Sequence, residues 1–244
     1  MTNEIIGKRI NVLDKGWIEL VDLMPNPKTD ISGDLAIVNA ARVSFMGESK
    51  GPVKDKRLLM YLLRNRHTSP FEMVEFKFRV RAPLVTWWQW VRHRTWSMNA
   101  QSGRYTPFEE DDFYVPDIWR RQSASNKQAS EGQVTDEENA ELTEQLVAHY
   151  EAGYRMYQHA LDTGVSKEMA RLFLPGFSVY YTWVTKVDAH NLMHFLRLRM
   201  ASDAQYEIRV YAQAIYDHFF KPALPWTAEA FEKYILGLED QEPD

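Results

Sequence analysis

Cysteine is absent from all 244 residues. Disulfides, thiolate metal sites and thiol nucleophiles are therefore excluded. Long apolar runs are missing as well: no stretch approaches the roughly 20 apolar residues of a membrane span. The opening Met1–Lys15 mixes Glu4, Lys8, Arg9 and Asp14 with short apolar pairs and has no secretory apolar core. A cytoplasmic protein with no membrane partner is expected. Basic charge is not in excess either. Lys and Arg total 29 against 34 Asp and Glu, for a net charge of -5, which argues against a general nucleic-acid binder and leaves small substrates open. No internal repeat and no shift of composition divides the chain. Its hydrophobic content of 45% suffices for one sizeable core, so a single domain over 1–244 is expected.

Periodicity places the elements. Trp17–Leu20 and Val21–Asn26 read as an early strand running into a Pro-marked turn. Gly33–Val43 has helical spacing with Leu35, Val38 and Ala41 on its apolar side and Ile37 at the edge, and Pro52–Arg66 is a helix with Leu58, Leu59, Leu62 and Leu63 inward. Phe71–Arg81 alternates Val74, Phe76, Phe78 and Val80 with charged residues, the pattern of a strand with one wet face. A helix follows Pro83 through Trp87, Trp88 and Val91. Thr95–Pro107 is polar and small, hence a loop, and Gln122–Thr135 reads as a mobile surface loop. Asp136–Thr163 is a long amphipathic helix that Gly164 can end. A short helix runs from Ser166 to Pro175, a strand over Phe177–Trp183, and a helix capped by Asp188 through Met200. Further helices cover Gln205–Phe220 and Thr227–Leu238, with a frayed acidic tail at 239–244. The class is α+β and helix-rich.

Chemistry concentrates between Glu75 and Arg104, where Glu75 is the one acid among Lys77, Arg79, Arg81, Arg92, Arg94 and Arg104. The island ends in Arg92-His93-Arg94-Thr95-Trp96-Ser97-Met98-Asn99-Ala100-Gln101-Ser102-Gly103-Arg104-Tyr105. Arginine forks bind phosphate oxygens bidentately, Ser102 adds a hydroxyl, and Gly103 lets the backbone approach a ligand. Successive N–H groups in such a loop form an anion nest. The pattern suits a phosphate ester, and composition alone equally allows a solvated basic loop.

Arg92-His93-Arg94, seven residues, then Ser102 resembles the signature of the flavin-dependent thymidylate synthases. Ala41-Arg42-Val43-Ser44, His67-Thr68-Ser69-Pro70-Phe71-Glu72, Arg171-Leu172-Phe173-Leu174-Pro175 and Asn191–Arg199 resemble further segments of that family, in its order, from about Ala41 to Trp226. The resemblance implies a mixed sheet flanked by helices, a homotetramer with active sites shared between subunits, and conversion of dUMP to dTMP. Methylenetetrahydrofolate would give the carbon, and FAD reduced by NADPH the electrons. The unrelated thymidylate synthases attack the pyrimidine with a cysteine thiolate, which this chain lacks.

By resemblance, Gln89, Arg92, Ser102, Gly103 and Arg104 match nucleotide-binding positions. Arg199 matches the catalytic arginine that lies against the pyrimidine and favours its ionisation, a role as preorganised cation. Alone, Arg199 would read as a surface helix arginine. FAD-binding positions are matched by Ser44, His67, Ser69, Glu72, Arg92, His93, Arg94, Thr95, Asn99, Arg171, Asp188, His190 and His194. Arginines there suit a dianionic dinucleotide and tune the flavin.

Departures are local. Many members carry Glu where this chain has Ala100, and some carry Asn, Arg and Asn at Asp188, His190 and His194. Loss of a carboxylate at Ala100 opens an alternative, a member acting on another nucleotide such as UMP. A non-catalytic flavin- or nucleotide-binding protein is the other alternative. His190 and His194, four apart beside Asp188, have the spacing of a metal face, but no His-Glu-x-x-His and no third ligand accompany them, so no metal is expected. Trp87, Trp88, Trp90 and Trp96 suit either stacking on folate or flavin, or core packing.

Overall fold

The computed structural model describes residues 5–26, 31–110 and 112–238. The tail 239–244, expected to fray, lies outside them. The strands are β1 (Arg9–Val12), β2 (Gly16–Met24), β3 (Glu75–Pro83), β4 (Ser97–Ala100), β5 (Arg121–Gln122), β6 (Ser130–Glu131) and β7 (Tyr180–Asp188). Five of them form one sheet in the order β1-β2-β3-β7-β4, while β5 and β6 make a separate ribbon. The α+β class with helices against a sheet is as the sequence implies. The sheet anticipated as mixed has antiparallel ladders throughout the described residues.

Alternation in β3 decides which face is wet. Phe76, Phe78, Val80 and Ala82 are fully buried, and their partners Leu20, Ile18, Trp183, Thr185 and Val187 face the same core. Lys77, Arg79 and Lys186 project from the opposite, exposed face. An antiparallel sheet allows this one-sided burial.

The helices are α1 (Gly33–Arg42), α2 (Pro52–Arg64), α3 (Leu84–Trp90), α4 (Asp136–Asp162), α5 (Lys167–Ala170), α6 (Ala189–Arg199), α7 (Tyr206–Ile215), α8 (Lys221–Ala223) and α9 (Pro225–Tyr234). A π turn, Tyr216–Phe220, joins α7 to α8. α4 begins with a reciprocal capping box between Thr135 and Glu138, and Gly164, at φ 85°, follows its end. Its Tyr150, Tyr157 and Ala160 build a second cluster with Phe108, Phe113, Leu174 and Val179, beside the main core. Among the described residues no helix is long and apolar enough to cross a membrane.

Several boundaries differ from the sequence reading. β3 starts at Glu75, not Phe71, because Ser69–Met73 forms a 3₁₀ turn with Pro70 in its first positions. The strand expected over Phe177–Trp183 starts at Tyr180 and continues to Asp188. Before it, the carbonyls of Phe177 and Val179 accept from the N–H groups of Val85 and Leu84 and tie the segment to α3 instead. The loop Thr95–Pro107 contains β4, an edge strand whose polar sequence disguised it. The ends of the surface loop Gln122–Thr135 pair as the β5–β6 ribbon, and the Gln122 amide donates to the carbonyls of Asn126, Lys127 and Ala129 within it.

The inward face of α1 is also rotated. Ile37 and Val38 are buried with Asp34 and Arg42, whereas Leu35 and Ala41 are half-buried. Both charges are satisfied from afar. Asp34 accepts from the backbone N–H groups of Trp226 and Thr227 and the Thr227 hydroxyl, capping α9, and Arg42 pairs with buried Asp55 at 2.5 Å.

Candidate active site

α3 ends at Trp90, just after Gln89, and the chain turns through Arg92–Thr95 into β4. That turn places His93 against the last residue of α6. Arg199 Nε donates to His93 Nε2 at 3.0 Å, Nη1 to Gln89 Oε1 at 3.4 Å and Nη2 to the Gln89 carbonyl at 3.3 Å. Burial, reinforced by the positive Arg199 and by His194, lowers the His93 pKa to about 4. The imidazole is neutral and can accept. Arg199 itself is half-buried, and burial lowers its pKa from the ordinary guanidinium value. It forms no ion pair among the described residues, so its charge meets only neutral acceptors.

Gln89 continues the chain of polar groups. Its Nε2 donates to Gln205 Oε1, Gln205 Nε2 donates to Glu207 Oε2 at 2.8 Å, and Arg120 Nη2 reaches Glu207 Oε1 at 2.6 Å. Gln205, Glu207 and Arg120 were not singled out in the sequence, where nothing marks a Gln and a Glu at the start of a helix as more than a cap.

Downstream of β4 the loop folds on Ser102. The Arg104 N–H donates to Ser102 Oγ at 3.3 Å, and the Tyr105 N–H to the Ser102 carbonyl at 3.0 Å. Gly103 is buried under Phe108: a Cβ there would lie 2.5 Å from Phe108 Cε2. Arg104 is exposed and pairs with Glu168 at 3.2 Å. The cationic island therefore divides. Arg92 and Arg94 lie on the turn before β4, Arg104 on the loop after it, Lys77 and Arg79 sit on the wet sheet face, and Arg81 is bound to Asp112 and stacked on Tyr180.

A cleft of about 230 Å³ lies between the end of α2, α6 and α9, lined by His190, His194, Arg66, Arg197 and Thr68 with apolar Leu63, Met193, Tyr234 and Ile235. Here two expected flavin positions, His190 and His194, meet two arginines the sequence reading passed over. The His194 ring lies 6.0 Å from that of His93, linking cleft and loop. Its pKa is lowered by burial, then by Arg197, His190 and Arg199. Ser44, His67, Ser69, Glu72, Arg92, Arg94, Thr95, Asn99 and Arg171 are all exposed. Asp188 is engaged as the cap of α6, accepting from the Asn191 N–H at 2.9 Å and its side-chain amide at 2.7 Å. Trp90 and Trp96 are buried in the core, Trp87 packs edge-on against Trp183, and Trp88 is exposed against Phe177.

Comparison with known proteins gives the family. The family model described as "Thymidylate synthase complementing protein" matches residues 19–226. A flavin-dependent thymidylate synthase of Thermus thermophilus is 47% identical, over 93% of this chain and 79% of its own. That of Thermosipho africanus is 42% identical, over 91% and 93%. Among solved structures, the UMP/dUMP methylase PolB of Streptomyces cacaoi, bound with 5-Br dUMP, superposes with a TM-score of 0.80 at 34% identity, covering 92% of this chain and 98% of that one. With its signature turn, its Arg199–His93 contact and these relatives, the chain belongs to the family of flavin-dependent thymidylate synthases.

Proposed function

We propose that the protein reductively methylates dUMP to dTMP, with methylenetetrahydrofolate as carbon donor, NADPH as reductant and FAD as cofactor. The observation that carries the reading is Arg199: a half-buried guanidinium held by a neutral histidine and an amide, with no carboxylate to neutralise it among the described residues. Such a cation stabilises negative charge as it develops on a pyrimidine ring. Ser102, Gly103, Arg104 and Arg92 hold the nucleotide phosphate, and Gln89 stands beside the base.

The donor set suits FAD. Arg66, Arg92, Arg94 and Arg197 carry no ion pair among the described residues, and the cleft that Arg66 and Arg197 line offers His190, His194 and Thr68 beside apolar walls. Those cations match a dinucleotide pyrophosphate. Ser44, His67, Ser69, Glu72, His93, Thr95, Asn99, Arg171 and Asp188 complete the positions assigned to it. Bound and reduced by NADPH, FAD supplies the electrons that turn the transferred methylene into a methyl group. Exposure of so many of these residues in one copy supports a homotetramer with sites shared between subunits, and a cytoplasmic enzyme fits its nucleotide, folate and nicotinamide substrates.

The test is the visible spectrum of the purified protein together with NADPH oxidation and dTMP formation from dUMP and methylenetetrahydrofolate. A yellow protein that makes dTMP supports the reading; a colourless protein that takes up no FAD overturns it. Ala100 favours a second reading. It sits opposite Trp183 on β4, half-buried and without a carboxylate, and the similar PolB structure is described as a UMP/dUMP methylase. Turnover of UMP at a rate comparable to dUMP, curtailed by Ala100→Glu, would select it.

A further inference from the structure

We propose that Gln205 and Glu207 are positioning residues that fix which end of the Gln89 amide faces Arg199 and the nucleotide base. This rests on the function proposed above.

Hydrogen-bond polarity is set outward from Glu207, which is 5% exposed at the start of α7. Its Oε1 accepts from Arg120 at 2.6 Å and from the Tyr114 hydroxyl at 3.3 Å, and its Oε2 accepts from Gln205 Nε2 at 2.8 Å. Paired with Arg120, this carboxylate is ionised and has nothing to donate. Gln205 must therefore turn its NH₂ toward Glu207, which leaves its Oε1 for Gln89. An oxygen can only accept there, so Gln89 must present its own NH₂ to Gln205. What remains for the site is Gln89 Oε1, beside Arg199 Nη1 at 3.4 Å. Rotating the Gln89 amide by half a turn would set its NH₂ against the guanidinium, donor against donor.

One buried carboxylate thus determines, two amides away, the polarity of the group beside the base. Amides alone would not do this, because each can present either end. Arg120 fixes the carboxylate from the opposite side, and Gln205, at the cap position before α7, spans the gap between α7 and α3.

Glu207→Gln tests the inference. An amide at 207 must turn its oxygen to the Arg120 guanidinium, which leaves its NH₂ for Gln205 and drives the relay into the reverse register. The expected result is a loss of about tenfold in kcat/KM for dUMP, carried mainly by KM. Adding Gln205→Glu should restore most of it, because the introduced carboxylate accepts from the Gln89 NH₂ directly and re-imposes its orientation. A purely structural role for the Glu207–Arg120 pair predicts no such rescue, since Arg120 still lacks its carboxylate. Should Glu207→Gln fail to fold, judged by melting temperature and FAD content, Gln205→Met leaves the Glu207–Arg120 pair in place and should raise KM alone. Variants that stay within roughly twofold of wild type, or a double variant that gains nothing over Glu207→Gln, overturn the proposal. Calorimetric binding of dUMP gives the same ranking without turnover. A wild type that binds dUMP and makes no dTMP would overturn the assigned reaction while leaving the relay decided.

Discussion

Arg199 donates its Nε to His93 Nε2 at 3.0 Å, so the imidazole must be neutral and carry its proton on Nδ1. Buried, and touched by the positive Arg199, this histidine does not readily take up a positive charge. Its lone pair instead orients the guanidinium, with Gln89 holding the other two nitrogens.

Arg199→Ala should lower kcat by about 10²- to 10³-fold while leaving bound FAD in place, because the cation acts on the developing charge. Arg199→Lys should recover little. An ammonium on a flexible stem cannot hold His93 and both Gln89 acceptors at once. Steady-state dTMP formation, with the flavin spectrum as a control, checks both.

The depressed pKa of His93 makes acid destabilising. Between the ordinary value of 6.5 and about 4, the unfolded imidazole binds a proton that the folded one refuses. The stability it contributes is present above pH 6.5 and is lost as pH falls toward 4, by up to about 3 kcal/mol for the whole shift. Melting temperatures across this window should fall less steeply for His93→Gln than for wild type.

Gly103→Ala should damage the loop proposed to hold the phosphate. The new methyl would meet the Phe108 ring at 2.5 Å, and Phe108 is held in the second cluster with its N–H donating to the Tyr157 hydroxyl at 3.2 Å. Overpacking of this kind costs about 1–3 kcal/mol. The displacement should appear as a raised KM for dUMP together with a lower melting temperature.

These residues differ in how openly the sequence displayed them. The alternation of β3 was legible because its hydrophobic side faces a covered layer and its charges face water. The segment Arg92–Arg104 stood out through its resemblance to the family signature, since its composition alone equally allowed a solvated basic loop. β4 was not legible, since an edge strand needs no apolar alternation to hold its ladder. The relay was not either. Gln89 and Gln205 are 116 residues apart, and what joins them is the meeting of α3 with α7, which no local pattern encodes. The face of α1 was misplaced for a related reason: the partners that make Asp34 and Arg42 tolerable inside lie on α9 and α2.

Asp34→Ala should test that last point. It removes the acceptor for two backbone donors and one hydroxyl at the start of α9, in a buried setting where they find no water. A loss of about 2–3 kcal/mol is expected in chemical denaturation. Burial raises the Asp34 pKa against the opposing pull of those hydrogen bonds.

β7 and α6 together act as a ruler. Beside Gln101, at the mouth of the Ser102 loop, Thr182 starts a run of strand to Asp188, at about 3.3 Å per residue. α6 then returns to Arg199 at about 1.5 Å per residue. The return closes on His93, four residues before β4 begins. On the proposed reading, the spacing between Ser102, assigned to the phosphate, and Arg199, assigned to the ring, is thereby written into two element lengths.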